Sequence, residues 1–186
     1  MDSSDGLSRP NLITVMTKLF TVEDHLKLFH YLHSFDEQNA RFFAPHSSDL
    51  ISIQTFYQDP LHRGWCGVDD TSVSLVGYAI LRLDIPAHDR ERMAGYGFRP
   101  DSRIDASFAP SVAVAYRGTG LADELWFRVL RDAKDYGRRR IFLWGGVKAE
   151  NQRAIKFYER HGFIRLGTFL YEGENLDMVY LVDARN

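Results

Sequence analysis

Val112-Ala113-Val114-Ala115-Tyr116-Arg117-Gly118-Thr119-Gly120-Leu121-Ala122 is the stretch on which the reading of this chain turns. It closes an apolar, moderately β-prone segment, Ala106 to Tyr116, and runs without a gap into a glycine turn. Leu121, Leu125, Val129 and Ala133 then recur at helical spacing to about Tyr136. The pattern predicts a strand, a tight turn and a helix in succession. Glycines at such a turn let backbone come close to a ligand, and the first-turn N–H groups of the helix have no intrahelical partner. With the positive end of the helix dipole, those donors form an anion site suited to a pyrophosphate. A connection that needs glycines only for turning has the same sequence, so this segment alone leaves both readings open. Rival phosphate motifs fail. No Gly-Lys-Ser/Thr follows the glycines, and neither a third glycine nor a downstream ribose acid completes a dinucleotide fingerprint.

Downstream lies Asn151-Gln152-Arg153-Ala154-Ile155-Lys156-Phe157-Tyr158-Glu159-Arg160-His161-Gly162-Phe163. Asn151 is a predicted helix N-cap, able to point its side chain toward the end of a preceding strand, Ile141 to Val147. Tyr158 falls two turns in, on the same side as Ala154, and Gly162 stops the helix. Asn also caps helices of no special function, and a Phe-Tyr pair is often core.

Near the N-terminus, Leu12 to Leu19 alternates loosely and predicts a first strand. Thr21 and Asp24 resemble a capping box for a helix whose stripe is Leu26, Phe29, Tyr31 and Leu32, ending about Ser34. Asp36 to His46 reads as a link, and Asp49 to Gln58 as a short helix capped by Ser48. Gly64 to Val68 and Ser72 to Leu83 flank the turn-like Asp69-Asp70-Thr71 and predict an antiparallel pair. Asp84 to Asp101 reads as a long loop or short helix and a candidate for substrate contact. Phe163 to Tyr171 and Leu176 to Val182 are two closing strands. The fold class is α/β (α+β), a mixed sheet with helices on its faces. A polar tail, 1–10, precedes a single domain, 11–186, in which no internal repeat is visible.

Composition narrows the function classes. The chain has 186 residues, 45% hydrophobic, 26% charged and 13% aromatic, and carries a net charge of −2. Roughly 70% of the unfolded surface of such a chain is buried on folding, so a core forms without disulfides or a structural metal. The lone cysteine, Cys66, cannot form an internal disulfide, and the expectation is a reducing, cytoplasmic setting. Met1 to Pro10 is polar with no apolar signal core after it, so secretion is not expected; no apolar run reaches membrane length, and no global basic field exists to attract nucleic acid or anionic lipid. Nucleic acid and membrane are therefore not expected partners, and any anion must be bound locally. His25, His30 and His33 cluster on the first predicted helix but lack a further ligand at supporting spacing, so no metal is expected. Cys66 reads as a small strand residue rather than a nucleophile.

Taken together, the two segments resemble the GNAT superfamily of acetyl-CoA-dependent N-acetyltransferases. Arg117 to Gly120 and the residues after it match the family's Arg/Gln-x-x-Gly-x-Gly/Ala pyrophosphate motif. Asn151 to Phe163 matches its Asn-x-x-Ala-x-x-Phe-Tyr-x-x-x-Gly-Phe segment. The resemblance covers about Asp105 to Tyr180 and is weaker, though compatible in element order, before that. It implies the GNAT fold: a mixed central sheet of about seven strands, helices on both faces, and a splayed parallel pair, Ala106 to Ala115 and Ile141 to Val147. An acyl-pantetheine arm would lie in the opening.

Acetyl-CoA is then the implied co-substrate. The resemblance places Val112, Ala113 and Val114 against its pantetheine, and Arg117, Gly118, Thr119, Gly120, Leu121 and Ala122 around its pyrophosphate. Asn151 would contact it or order nearby loop structure, and Tyr158 would lie near the thioester sulfur as a general acid. A phenol of pKa about 10 is a poor full proton donor to a thiolate whose acid has pKa about 8.5, a step uphill by roughly 2 kcal/mol. Hydrogen-bond donation to the developing charge is the sounder role.

The implied acceptor is a small-molecule amine or a protein or peptide amine, and a homodimer is one open option for assembly. Deprotonating an ordinary ammonium costs about 4 kcal/mol at neutral pH, so its proton needs a route. Where relatives often carry a Glu, this chain has Ser107 and Gly146. Asp105 is the nearest candidate base and Glu150 the second; a water chain, or an acceptor that arrives neutral, is equally open. Phe42, Phe43, Phe56 and Tyr57 are candidates for the acceptor pocket or for core. Arg138, Arg139 and Arg140 either meet a ribose phosphate or compensate a helix C-terminus. The competing function is a catalytically weak or inactive module that binds acyl-CoA as a regulatory ligand.

Overall fold

The computed structural model describes residues 15–43 and 45–182; the 1–10 tail and the start of the Leu12 to Leu19 strand lie outside the described residues. In chain order, β1 (Val15–Leu19) leads through a 3-10 turn (Val22–Asp24) into α1 (His25–His33), α2 (Glu37–Phe42) and α3 (Leu50–Phe56). There follow β2 (His62–Asp69), β3 (Leu75–Arg82), α4 (Ala87–Gly95) and β4 (Asp105–Val112). A second 3-10 turn (Val114–Tyr116) precedes α5 (Leu121–Asp135), β5 (Arg140–Leu143) and β6 (Val147–Lys148). The chain closes with α6 (Gln152–Arg160), β7 (Ile164–Leu170) and β8 (Glu174–Leu181).

Three local expectations are corrected. The Asp36 to His46 link contains α2, whose N-cap Asp36 accepts the Asn39 N–H at 2.7 Å. Helix α3 is capped by Asp49, which accepts from Ser52 N–H, and not by Ser48. The strand expected over Ile141 to Val147 is broken into β5 and β6, because Gly145 and Gly146 both take positive φ, 67° and 71°. The Asp84 to Asp101 segment holds the short helix α4, which starts after Pro86 and ends at Gly95, with loop on either side.

The strands form one mixed sheet in the order β1, β2, β3, β4, β5, β8, with β6 in line with β5 on one edge of β8 and β7 on the other. All neighbours are antiparallel except β4 and β5. Alternation decides what each face buries. On one face α5 and α6 lay Leu125, Trp126, Val129 and Ile155 over Ala79, Leu81, Phe108, Ile141 and Met178. The other face is covered by α1 and α3, through Leu28 and Ile53 over Tyr78 and Ile80, and by α4, through Met93 over Phe142 and Val179. Each such large apolar side chain contributes about 1.5–3 kcal/mol of burial free energy.

Two features set up the site. Gly67 and Gly77 stand opposite each other in the β2–β3 ladder, and a Cβ on either would come within 2.7 or 2.9 Å of Leu121. Their bare backbone makes the hollow into which Leu121, the first residue of α5, inserts. Beyond this, the β4–β5 pairing ends at Phe108 and Leu143, with a last bond from Trp144 N–H to Phe108 C=O, 3.0 Å. Ala109 to Val112 pair with β3 alone, so the two strands part and the sheet opens.

Candidate functional site

The opening continues into a cleft of about 1000 Å³. From β4, the turn after it and the start of α5 it is lined by Ser111, Val112, Ala113, Val114, Arg117, Gly118, Gly120 and Ala122, and from the β6–α6 region by Gly146, Val147, Asn151, Ala154 and Tyr158. Phe35, Phe42 and Phe43 from the α1–α2 region close it on a third side.

The glycine turn is built as its sequence demands. Gly118 and Gly120 sit at φ 78° and 89°, where a side chain is strained. The first intrahelical bond of α5 runs from Glu124 N–H to Gly120 C=O, 3.0 Å, so the N–H groups before it have no partner within the helix. Thr119 turns outward, its hydroxyl donating to Tyr116 C=O at 2.7 Å, and Leu121 is buried in the sheet hollow. These two line the turn only through their backbone. The acidic residues of the first turn, Asp123 and Glu124, are already engaged: Asp123 by Arg160 and by His161 at 2.6 Å, and Glu124 by Thr17 and Arg128.

Positive charge collects around the turn. Arg117, Arg153, Lys156 and Arg160 line the cleft, and of these only Arg160 is ion-paired among the described residues. Arg117 donates to the Asn39 side-chain carbonyl, and burial together with the neighbouring Arg153 pulls its pKa down. Arg153 and Lys156 were not singled out from the sequence, although their spacing of three places them on one helix face beside Asn151. Asn39 had no sequence signal beyond the Asp36 cap.

Asn151 caps α6, its carbonyl accepting from Ala154 N–H at 3.2 Å. Two turns on, Tyr158 packs against Phe108 and Phe163 at ring distances of 6.4 and 5.3 Å. It is 7% exposed, and burial alone pushes its pKa above the usual phenol range. Among the described residues no protein group hydrogen-bonds its hydroxyl, and the residue lines the cleft. Low local dielectric and a free donor are the conditions in which a phenol best meets developing negative charge.

The structure does not bring Asp105 into this group. It is 1% exposed at the start of β4, accepts from Arg140 Nε at 2.6 Å and Asp101 N–H at 2.7 Å, and does not line the cleft. Glu150 is exposed, pairs with Arg41 at 3.3 Å, and borders a separate small hollow with Glu172 and Glu174. Ser107 donates to Asp84 C=O, and a Cβ at Gly146 would stand 2.9 Å from Leu176 C=O. Arg138 and Arg140 bind backbone carbonyls of Ser102 and Arg99, away from the cleft. Of the aromatic candidates, Phe42 and Phe43 line the cleft. Phe56 instead stacks on His62 at 3.7 Å and Tyr57 on Phe20 at 4.2 Å.

This architecture has known counterparts. The GNAT domain of a Streptomyces lividans PAT superposes with a TM-score of 0.67 at 17% identity, covering 89% of each chain. Arabidopsis thaliana NAA60, in complex with acetyl-CoA, gives 0.66 at 20% identity over 91% of this chain and 99% of that one. Uncharacterized N-acetyltransferases of Mycobacterium bovis and Mycobacterium tuberculosis are 37% identical over 89 residues, which is 47% of this chain and 56% of theirs. The chain thus spans about half the length of the curated relatives it matches. The model of the acetyltransferase (GNAT) family matches residues 28–163, and the chain belongs to that family.

Proposed function

We propose that this chain is an N-acetyltransferase that moves an acetyl group from acetyl-CoA to a primary amine by direct attack in a ternary complex. The observation that carries the proposal is that one cleft holds both the free first-turn donors of α5 and the unpartnered hydroxyl of Tyr158. Acetyl-CoA, with which the Arabidopsis NAA60 and a Salmonella typhimurium acetyltransferase are described, supplies the activated thioester.

The residues fit that molecule. Arg117, Gly118, Gly120 and Ala122, with backbone from Thr119 and Leu121, hold the pyrophosphate; Arg153 and Lys156 add positive charge nearby. Val112 ends β4 where the β5 partner is lost, and its backbone with the N–H of Val114 is left for pantetheine amides; Ala113 lines the cleft beside them but spends its N–H on Val76 C=O and its C=O on Tyr116 N–H. Asn151 fixes the start of α6, and Tyr158 donates a hydrogen bond to charge developing on sulfur. The acceptor is a small-molecule, peptide or protein amine lying toward Phe35, Phe42 and Phe43. Its proton leaves through water, or the amine arrives neutral, since Asp105 and Glu150 are engaged elsewhere. The domain is taken as 11–186, and the single buried thiol of Cys66 suits a reducing cytoplasm.

The test is release of coenzyme A from acetyl-CoA in the presence of pooled amines. Release that requires both protein and amine supports the proposal. Tight binding with no transfer to any amine would identify a module that uses acyl-CoA as a regulatory ligand, the reading favoured by the occupied Asp105. No binding at millimolar acetyl-CoA overturns both.

A further inference from the structure

Trp144, Gly145 and Gly146 separate β5 from β6, and Gly146 lines the cleft. At this break the backbone leaves the sheet, and the N–H of Gly145 loses any ladder partner. A part-buried N–H left unpaired is destabilising. Its partner is Asp89 on α4, whose Oδ2 accepts at 2.9 Å from a side chain only 2% exposed. The other oxygen of Asp89 accepts from Arg92 Nη2 at 2.7 Å, and Arg92 reaches across to Asp177 on β8 with two further bonds, 2.9 and 3.1 Å. The Arg92 guanidinium lies over the Phe169 ring, 3.7 Å from its centroid. That ring in turn backs Gly146: a Cβ there would be 2.8 Å from Phe169. Two arms of one network therefore close on adjacent residues, Asp89 on Gly145 and Phe169 on Gly146.

The geometry points to Asp89 as a positioning residue for acetyl transfer: it fixes the Gly145–Gly146 break, and so the part of the cleft lining that Gly146 supplies, without touching a substrate itself. This rests on the acetyltransferase reading of the cleft. Both glycines have positive φ and no side chain of their own to pack, so their backbone needs an external anchor. A wall displaced by about 1 Å is enough to cost on the order of 100-fold in rate when reacting groups must align. Arg92 and Asp177 keep the Asp89 carboxylate aimed; one guanidinium serves both carboxylates.

The experiment compares Asp89→Ala and Asp89→Asn with the unmodified chain by three measurements: amide hydrogen exchange at Gly145 to Val147, affinity for coenzyme A, and single-turnover acetyl transfer at saturating acetyl-CoA. The alanine variant is expected to expose the Gly145 amide and to lose about 10- to 100-fold in transfer rate, with coenzyme A affinity within about threefold. The asparagine variant offers one acceptor oxygen where the carboxylate uses two, so aiming it at the Gly145 N–H sets its NH2 against Arg92; the rate should recover in part, in step with the protection of the Gly145 amide, while coenzyme A affinity stays unchanged, a split that a general loss of structure would not give. Unchanged exchange in a folded Asp89→Ala protein overturns the positioning role. Faster exchange with an unchanged transfer rate overturns its link to chemistry. An unmodified chain that binds coenzyme A and transfers nothing overturns the acetyltransferase reading instead, and the exchange data still report on the anchor.

Discussion

Asp105 and Arg140 are joined by a 2.6 Å ion pair where β4 and β5 begin to run side by side. The carboxylate is buried and the guanidinium 18% exposed, so the pair ties the start of the parallel ladder from within. Replacing Asp105 by Asn is expected to cost about 1–3 kcal/mol of stability, the range for a buried charged hydrogen bond. Single-turnover acetyl transfer by the folded variant should stay within about threefold of the parent. A loss of 100-fold or more with stability intact would instead make Asp105 the base.

Acetyl-CoA should raise the melting temperature, since a ligand that binds only the folded state stabilises it by about 2.7 kcal/mol at a hundred times its dissociation constant. Adenine nucleotides without pantetheine should give a smaller shift, because the Val112 to Val114 contacts are lost. Differential scanning calorimetry checks this. An equal shift from ATP would count against the pantetheine half of the assignment.

Gly120→Val tests the turn. Nothing in the protein lies within 4 Å of a Cβ built there, so the substitution meets open space, but φ of 89° strains a branched residue. The strain is on the order of 1–2 kcal/mol. Titration calorimetry should find coenzyme A affinity reduced well beyond what that stability loss explains. Unchanged affinity would remove Gly120 from the site.

Tyr158→Phe separates chemistry from binding. The transfer step should slow by about 10- to 1,000-fold while acetyl-CoA affinity hardly changes, because the lost hydrogen bond acts on charge present only as sulfur leaves. Burial holds the phenol in its protonated, donor form beyond its ordinary pKa. No descending limb from this residue should therefore enter the pH–rate profile below about pH 10. Equal losses in rate and affinity would recast Tyr158 as a residue that places the thioester.

The sequence made the glycine turn and the Asn151 to Phe163 helix legible because each is coded locally, by glycines that permit positive φ and by an N-cap at fixed spacing from its apolar face. Helix α2 was hidden since six residues, EQNARF, carry too few apolar positions to show a period. The break at Gly145–Gly146 was invisible for a different reason. Its anchor is Asp89, 56 positions away, and no pattern within a strand announces a partner on a distant helix. Asp105 illustrates the same limit: its position suggested chemistry, and only the fold shows that Arg140 holds it.

The hollow at Gly67 and Gly77 reaches further than packing. With Leu121 seated in it at 4% exposure, the first turn of α5 is held from beneath, on the side away from any ligand. The donors there are preorganised, so little conformational entropy is lost when an anion docks. In the proposed pyrophosphate site, part of the affinity would then be set by two strand positions that never meet the ligand, and a methyl group added at either is expected to weaken coenzyme A binding.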